Sequence, residues 1–354
     1  MACGTAFNVP PPRVDRPRCP VPLTPLTLTM SKTTHSPARR AHHRVLHFAA
    51  AAALGLGLLA GCGGSTSTVD AFVPGRLLVF GDDLSTMTSD GRKYTVNSAD
   101  ENGLLQCQAN PLWVQSLAAH YAMVFAECNP DNQGNPKAKM LAVVGATTED
   151  MATQIRTFTS SDSIQPDDLA TVLVGMNDVL QAYATWPSES EDVLIALMED
   201  AGARAAQQVN ELAGSGARVL VSTMPDMGQS PFAKAEALEK GDVAAAVLSR
   251  MSTAFNRSLR LNLLNDGSKL GLLLMDDLMH GMVRVPAGYG LSNIDSPVCE
   301  DSAPLPDCNS LTLVSGDPTP TASNYLWADA TRPSPVPQNY LGIQAITRAR
   351  NNPF

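Results

Sequence analysis

The stretch Arg76-Leu77-Leu78-Val79-Phe80-Gly81-Asp82-Asp83-Leu84-Ser85 runs from four consecutive apolar residues into a glycine and a pair of carboxylates. A run this short and apolar, closed by turn residues, reads as a strand buried on both faces. Similar runs recur at residues 140–144, 170–174, 218–223 and 272–276. Between them, patterns with helical periodicity lie at 112–125, 148–158, 191–213 and 233–265, and one more closes the chain at 338–350. Crossovers of that length favour parallel pairing, so the alternation is an α/β signature. Segment 286–326 differs, being rich in proline, serine and aspartate with two cysteines, and reads as a long stapled excursion within the same domain. No internal repeat is present.

In an open parallel sheet the reactive side chains gather beyond the carboxyl ends of the strands. Four polar clusters therefore belong together. They are Gly81-Asp82-Asp83-Leu84-Ser85, Gly145-Ala146-Thr147, Gly175-Met176-Asn177-Asp178 and, near the C-terminus, Asp329-Ala330-Thr331-Arg332-Pro333.

The N-terminal part has a separate logic. Residues 2–29 are proline-rich without periodicity, and Met30 opens a new segment and is a candidate true start. A basic stretch (Lys32, Arg39, Arg40, Arg44) precedes an apolar run at 48–58 and then Leu59-Ala60-Gly61-Cys62, the order of a secretory signal. The run is shorter than the roughly 20 residues of a membrane span. Leu-Ala-Gly-Cys in this place resembles the lipobox of bacterial lipoproteins, which implies acylation of Cys62, and Gly63 behind it implies sorting to the outer membrane. The periplasmic or surface side stays open. The expected organisation is a leader at 1–61, an acylated cysteine and flexible tether at 62–74, and one domain at 75–354.

Without residues 1–61 the chain keeps 18 of its 25 basic and 33 of its 34 acidic residues, a formal net charge of −15. That field argues against nucleic acid as a partner. Beyond Cys62 four cysteines remain, Cys107, Cys128, Cys299 and Cys308, an even number that suits an oxidising compartment. Three connectivities exist; Cys107 with Cys128 and Cys299 with Cys308 are favoured because each pair flanks one local excursion. No cysteine pair has CxxC spacing and His120 and His280 are the only histidines after residue 61, so no metal or cofactor is expected.

The four clusters, in this order, resemble the blocks of the SGNH/GDSL hydrolases, in particular their lipase and lecithinase-like branch. The family's Phe-Gly-Asp-Ser-Leu-Ser is Phe80-Gly81-Asp82-Asp83-Leu84-Ser85 here, with Asp83 in place of the serine nucleophile. Gly145 stands where the family has a backbone oxyanion donor and Asn177 where it has the side-chain donor. Asp-x-x-His-Pro becomes Asp329-Ala330-Thr331-Arg332-Pro333, with the triad acid kept and Arg332 in place of the base. The resemblance covers about residues 75–351. It implies a three-layer α/β/α sandwich of flavodoxin-like type with a parallel sheet of about five strands. It also implies ester hydrolysis as the family activity. Asp82 and Met176, beside the substituted nucleophile and the donor, are candidate binding residues.

Acyl transfer to water needs a hydroxyl, a base to take its proton, an acid to orient the base, and donors at the oxyanion. A guanidinium keeps its proton and cannot serve as the base. A carboxylate at position 83 also puts negative charge beside the place where an oxyanion forms. The expectation is a degenerate esterase domain on a lipoprotein, read as a monomer, held to the membrane through Cys62, with an ester, lipid or glycan ligand in the crevice. The alternative is a hydrolase with a rearranged site that uses Ser85 or Asp83 with His280. Ser85 reads more readily as a helix-start cap, His280 as a helix-surface residue and His120 as peripheral. Because opposite charges replace two groups that touch in active relatives, Asp83 and Arg332 are expected to form a salt bridge that neutralises a cluster with Asp329 and Asp82.

Overall fold

A computed structural model describes residues 72–351. The leader, the lipobox with Cys62 and the tether before Phe72 lie outside the described residues. Five strands, β1 (Arg76–Gly81), β2 (Ala138–Met140), β3 (Asp168–Leu173), β4 (Arg218–Ser222) and β5 (Leu270–Leu273), form one parallel sheet in the order β2-β1-β3-β4-β5. Every residue of β3 and all but Arg76 in β1 are buried, as a sheet covered on both faces requires. The helices that cover it are α1 (Trp113–His120), α2 (Thr148–Ser161), α3 (Met176–Tyr183), α4 (Glu191–Gly214), α5 (Pro231–Lys240), α6 (Val243–Asn262), α7 (Met275–Arg284) and α8 (Pro335–Arg350). The strand order reverses at β1, so the crevice between the ends of β1 and β3 is the switch point at which ligands meet such sheets.

The helix starts carry local signals. Thr147 and Asp150 form a reciprocal capping box on α2, and Ser190, Ser230 and Ser334 cap α4, α5 and α8 through their side chains. Ser230 and Ser334 each precede a proline at the first helical position.

Several boundaries differ from the sequence reading. The second strand was expected at 140–144 but ends at Met140. Leu141 and Val143 still donate to the carbonyls of Val79 and Gly81, but the Gly81 N–H that would continue the ladder is taken by the Gln154 side chain at 2.9 Å. The last strand runs over Leu270–Leu273 instead of 272–276, because Asp276 already belongs to α7 and accepts from Thr223 and Arg260. The expected helix at 233–265 is two helices, parted at Gly241, whose φ of +87° is left-handed. The helix at 112–125 stops at His120, just before Ala122 turns left-handed with φ +54°.

Both disulfides have the expected pairing, Cys107–Cys128 and Cys299–Cys308. The excursion at 286–326 holds a strand, β6 (Asn293–Pro297), paired in parallel with β7 (Tyr325–Trp327) just behind it. A small separate core of Val96, Val298, Cys299, Cys308, Tyr325 and Ala328 joins the excursion to the loop after β1. No described helix is long and apolar enough to cross a membrane.

Candidate active-site crevice

The first cluster is set by Gly81. Its φ of +130° and its closeness to Leu173 leave no room for a side chain: a Cβ would lie 2.0 Å from the Leu173 carbonyl oxygen. Gln154 on α2 fixes this glycine from the other side, accepting from its N–H and donating to its carbonyl at 2.8 Å. The chain then makes a 3-10 turn over Asp83–Ser85, capped by the Asp82 carboxylate through the Leu84 N–H. Asp82 therefore makes the cap expected of Ser85. The Ser85 hydroxyl is buried and accepts from the Trp113 indole at 3.0 Å.

The turn delivers Asp83, with no exposed surface, into a ring of donors. Its Oδ2 accepts from the Gly145 N–H at 2.7 Å and from Asn177 Nδ2 at 3.0 Å. Its Oδ1 accepts from Arg332 Nε at 2.7 Å and Nη2 at 2.5 Å. The expected salt bridge is therefore present, and the carboxylate also occupies both donors that the family resemblance assigns to the oxyanion. Arg332 Nη1 donates to Asp329 Oδ2 at 2.7 Å, while the N–H groups of Thr331 and Arg332 donate to Asp329 Oδ1. The guanidinium lies 5.6 Å from the Tyr94 ring centre, within cation-π range.

Other groups hold the donors in place. Gly145 is left-handed, with φ +75°. The turn that carries it is tied down by Asp178, which accepts from the N–H and the hydroxyl of Thr148 at the start of α2. Gly175, with φ +123°, lets α3 begin against the Phe255 ring, 2.5 Å from where a Cβ would sit. Thr95 donates to the Pro333 carbonyl and so closes the loop after β1 over the C-terminal cluster.

Burial pushes the Asp82 carboxyl well above the usual carboxylate range, and the neighbouring Asp83 charge adds to the shift, while the Leu84 N–H opposes it. One Asp82 oxygen has no hydrogen-bond partner. Burial also raises Asp178 despite its bonds to Thr148. For Arg332, burial acts to lower the pKa, but the charges of Asp329 and Asp83 outweigh it and the guanidinium is held more firmly protonated.

The structure does not bring every candidate to the crevice. Asp82 and Met176 are fully buried, and neither offers surface at the crevice. His280 Nε2 meets Asp226 at 3.1 Å, and among the described residues no hydrogen bond or ion pair joins it to Asp83 or Ser85. His120 packs edge-on against Tyr121 at the end of α1. Gln154, Tyr94 and Asp178's anchoring role escaped the sequence reading. Only the Gly-x-Asn-Asp context of Asp178 carried a local signal. Among the described residues, no group of three or more His, Cys, Asp or Glu side chains could hold a metal ion.

A flavodoxin-like parallel sheet with a polar cluster at its switch point defines the class of fold, and comparison with known proteins adds the family. Residues 77–302 match the GDSL-like Lipase/Acylhydrolase family, to which this chain belongs. A phosphatidylcholine-sterol acyltransferase of Aeromonas hydrophila is 28% identical over 240 residues, which cover 62% of this chain and 64% of that protein. The chain thus spans less than two thirds of that relative's length. Among solved structures, the lipase Lip_vut3 from a goat rumen metagenome matches with a TM-score of 0.45 at 12% identity, over 79% of this chain and 99% of that one. The extracellular lipase of Streptomyces rimosus matches at 0.41 and 14%, over 78% and 99%.

Two outcomes follow from the geometry. Arg332→Met leaves a buried carboxylate without its cation and is expected to cost about 3 kcal/mol in urea unfolding, at the low end for broken buried pairs because Gly145 and Asn177 still donate; Asp83→Asn added to it should recover part of the loss. The second concerns Asp82, whose folded pKa lies above its unfolded value. Its contribution to stability is complete below about pH 4 and is lost as the pH rises through the raised folded value. Asp82→Asn, which imitates the protonated acid, should gain on the wild type as pH rises from 4 to 8, in unfolding curves measured across that range.

Proposed function

We propose that this chain is a non-catalytic member of its family, a lipoprotein of the cell envelope that keeps the esterase scaffold for binding. The observation that carries this reading is the Asp83 carboxylate, bound at once by the Gly145 N–H, Asn177 and Arg332. Oxyanion donors stabilise a reaction only if they are free to meet the charge that develops in it. Here they already meet the Asp83 carboxylate. No hydroxyl stands at the position to attack, and the group at the base position holds its proton.

The same argument covers acyl transfer, the activity in the name of the Aeromonas hydrophila relative. Transfer and hydrolysis both begin with an acyl-enzyme, which requires a nucleophile that can be regenerated. An attack by Asp83 itself would need its Oδ1 to leave Arg332 and would then lack a base for the water. Ser85 and His280, the rearranged pair, have partners of their own elsewhere. An ester, lipid or glycan remains the ligand class to which the scaffold is suited, as a bound molecule and not as a substrate.

The purified domain is expected to hydrolyse short-chain p-nitrophenyl esters no faster than background. Turnover abolished by Asp83→Ala or by Ser85→Ala would overturn the reading. The double variant Asp83→Ser, Arg332→His should gain esterase activity above the wild type, because it restores hydroxyl and base and frees both donors. The anchoring half of the proposal has its own check. Labelled fatty acid should enter the wild-type protein in a bacterial host and fail to enter Cys62→Ser.

A further inference from the structure

A cavity of about 340 Å³ opens away from the crevice, where the loop ahead of α1, the excursion and the start of α8 meet. Asn110, Tyr289, Ser323, Asn339 and Tyr340 supply its polar and aromatic lining, and none of Asp83, Gly145, Asn177 and Arg332 contributes to it.

The walls are held from behind. Gln338, fully buried, accepts from the Trp113 N–H and donates to the Leu84 carbonyl, both at 3.0 Å. The first turns of α8 are thereby locked to α1 and to the turn after β1, and Asn339 and Tyr340 stand on that frame. Asn110 is left-handed, with φ +49°, and its side-chain amide donates to the Val96 carbonyl at 3.2 Å. Tyr289 closes a short 3-10 turn at Pro286–Tyr289, and its hydroxyl rests over Gly281 of α7, where a Cβ would come within 3.2 Å of it. A site whose lining is fixed before a ligand arrives loses less on ordering it.

The lining selects the ligand. No charged side chain belongs to it, so an ion would leave water without a partner. A nucleotide would also bring phosphates into the field of a chain that is strongly acidic after residue 61. A purely apolar ligand would cover the Tyr340 hydroxyl, the Asn339 amide and the Asn110 carbonyl oxygen, none of which meets a hydrogen-bond partner among the described residues. A proline-rich peptide needs rings that stand apart as a slot. Tyr289 and Tyr340 instead meet edge to face, with centroids 5.1 Å apart at 73°, and fill the gap themselves. A sugar ring fits: its C–H face covers an aromatic face, and its rim of hydroxyls meets amide groups that both donate and accept.

We propose that this cavity binds a neutral carbohydrate, with one ring stacked on Tyr340 and its hydroxyls on Asn339 and Asn110. The volume stands at the low end of the roughly 300–1,000 Å³ of small-molecule sites, which suits a chain end of about one or two rings. The site lies apart from the crevice, and the proposal does not rest on whether the crevice is catalytic.

The test titrates isotope-labelled protein with maltose, cellobiose, lactose and N,N′-diacetylchitobiose at millimolar concentration. At least one of them should shift the side-chain amide signals of Asn110 and Asn339 while that of Asn177, in the crevice, stays in place. Asn339→Ala and Tyr340→Ala should each weaken the binding about tenfold, the scale of one lost hydrogen bond or one lost stacked ring. Asn339 is exposed, so its variant should keep the wild-type unfolding temperature and separates lost binding from lost folding. No shift with any of these sugars, undiminished binding by both variants, or a shift confined to Asn177 would each overturn the proposal. Tighter binding of hexaproline than of every sugar, at the same signals, would assign the cavity to a peptide and overturn it as well.

Discussion

One carboxylate organises the crevice. Asp83 collects four hydrogen bonds from three parts of the chain: the turn after β2, the start of α3 and the C-terminal cluster 249 residues further on. A buried charge is tolerated only when it is paired and its lone pairs are satisfied, and all of these donors are needed to satisfy this one. Arg332 has the same problem in milder form and solves it with two carboxylates and an aromatic face. The result is a closed polar network at the switch point of the sheet.

The network depends on backbone positions that have little tolerance. Gly81, Gly145 and Gly175 all have positive φ, and each lies at the end of a strand or at the turn behind one. Two of them face neighbours that exclude a side chain, Leu173 for Gly81 and Phe255 for Gly175. Gln154 and Asp178 then fix the turns from below by bonding to backbone groups. These supports hold the turns that present Asp83, Gly145 and Asn177 to one another.

Much of this was legible in the sequence, because the signals were local or came in ordered blocks. Apolar runs behind turn residues marked all five strands of the sheet, and opposite charges at positions 83 and 332 marked the ion pair. What escaped reading depended on tertiary contacts. Gln154 looks like any polar helix residue until Gly81 is placed beside it, and its claim on that glycine is also why β2 stops short of residue 144. Tyr94 lies in a loop whose course is set by Thr95 and by Lys93, the latter buried with its ammonium on the carbonyls of Cys107 and Ala109. The start of helix α7 reads as strand because Asp276 looks like the turn residue that closes one, although His280 reads as a helix-surface residue. Asp82 makes the cap expected of Ser85, since a tight turn leaves the cap to the residue that precedes it.

The central claim is that the Asp83 carboxylate fills the place of an oxyanion in the folded protein. Gly145 offers a direct test, because this residue is exposed and its N–H has Asp83 as its acceptor. Amide hydrogen exchange at Gly145, measured by NMR in the wild type and in Asp83→Ala, should be slow in the first and about tenfold or more faster in the second. Free exchange of Gly145 in the wild type, at the rate of an unbonded surface amide, would contradict the account.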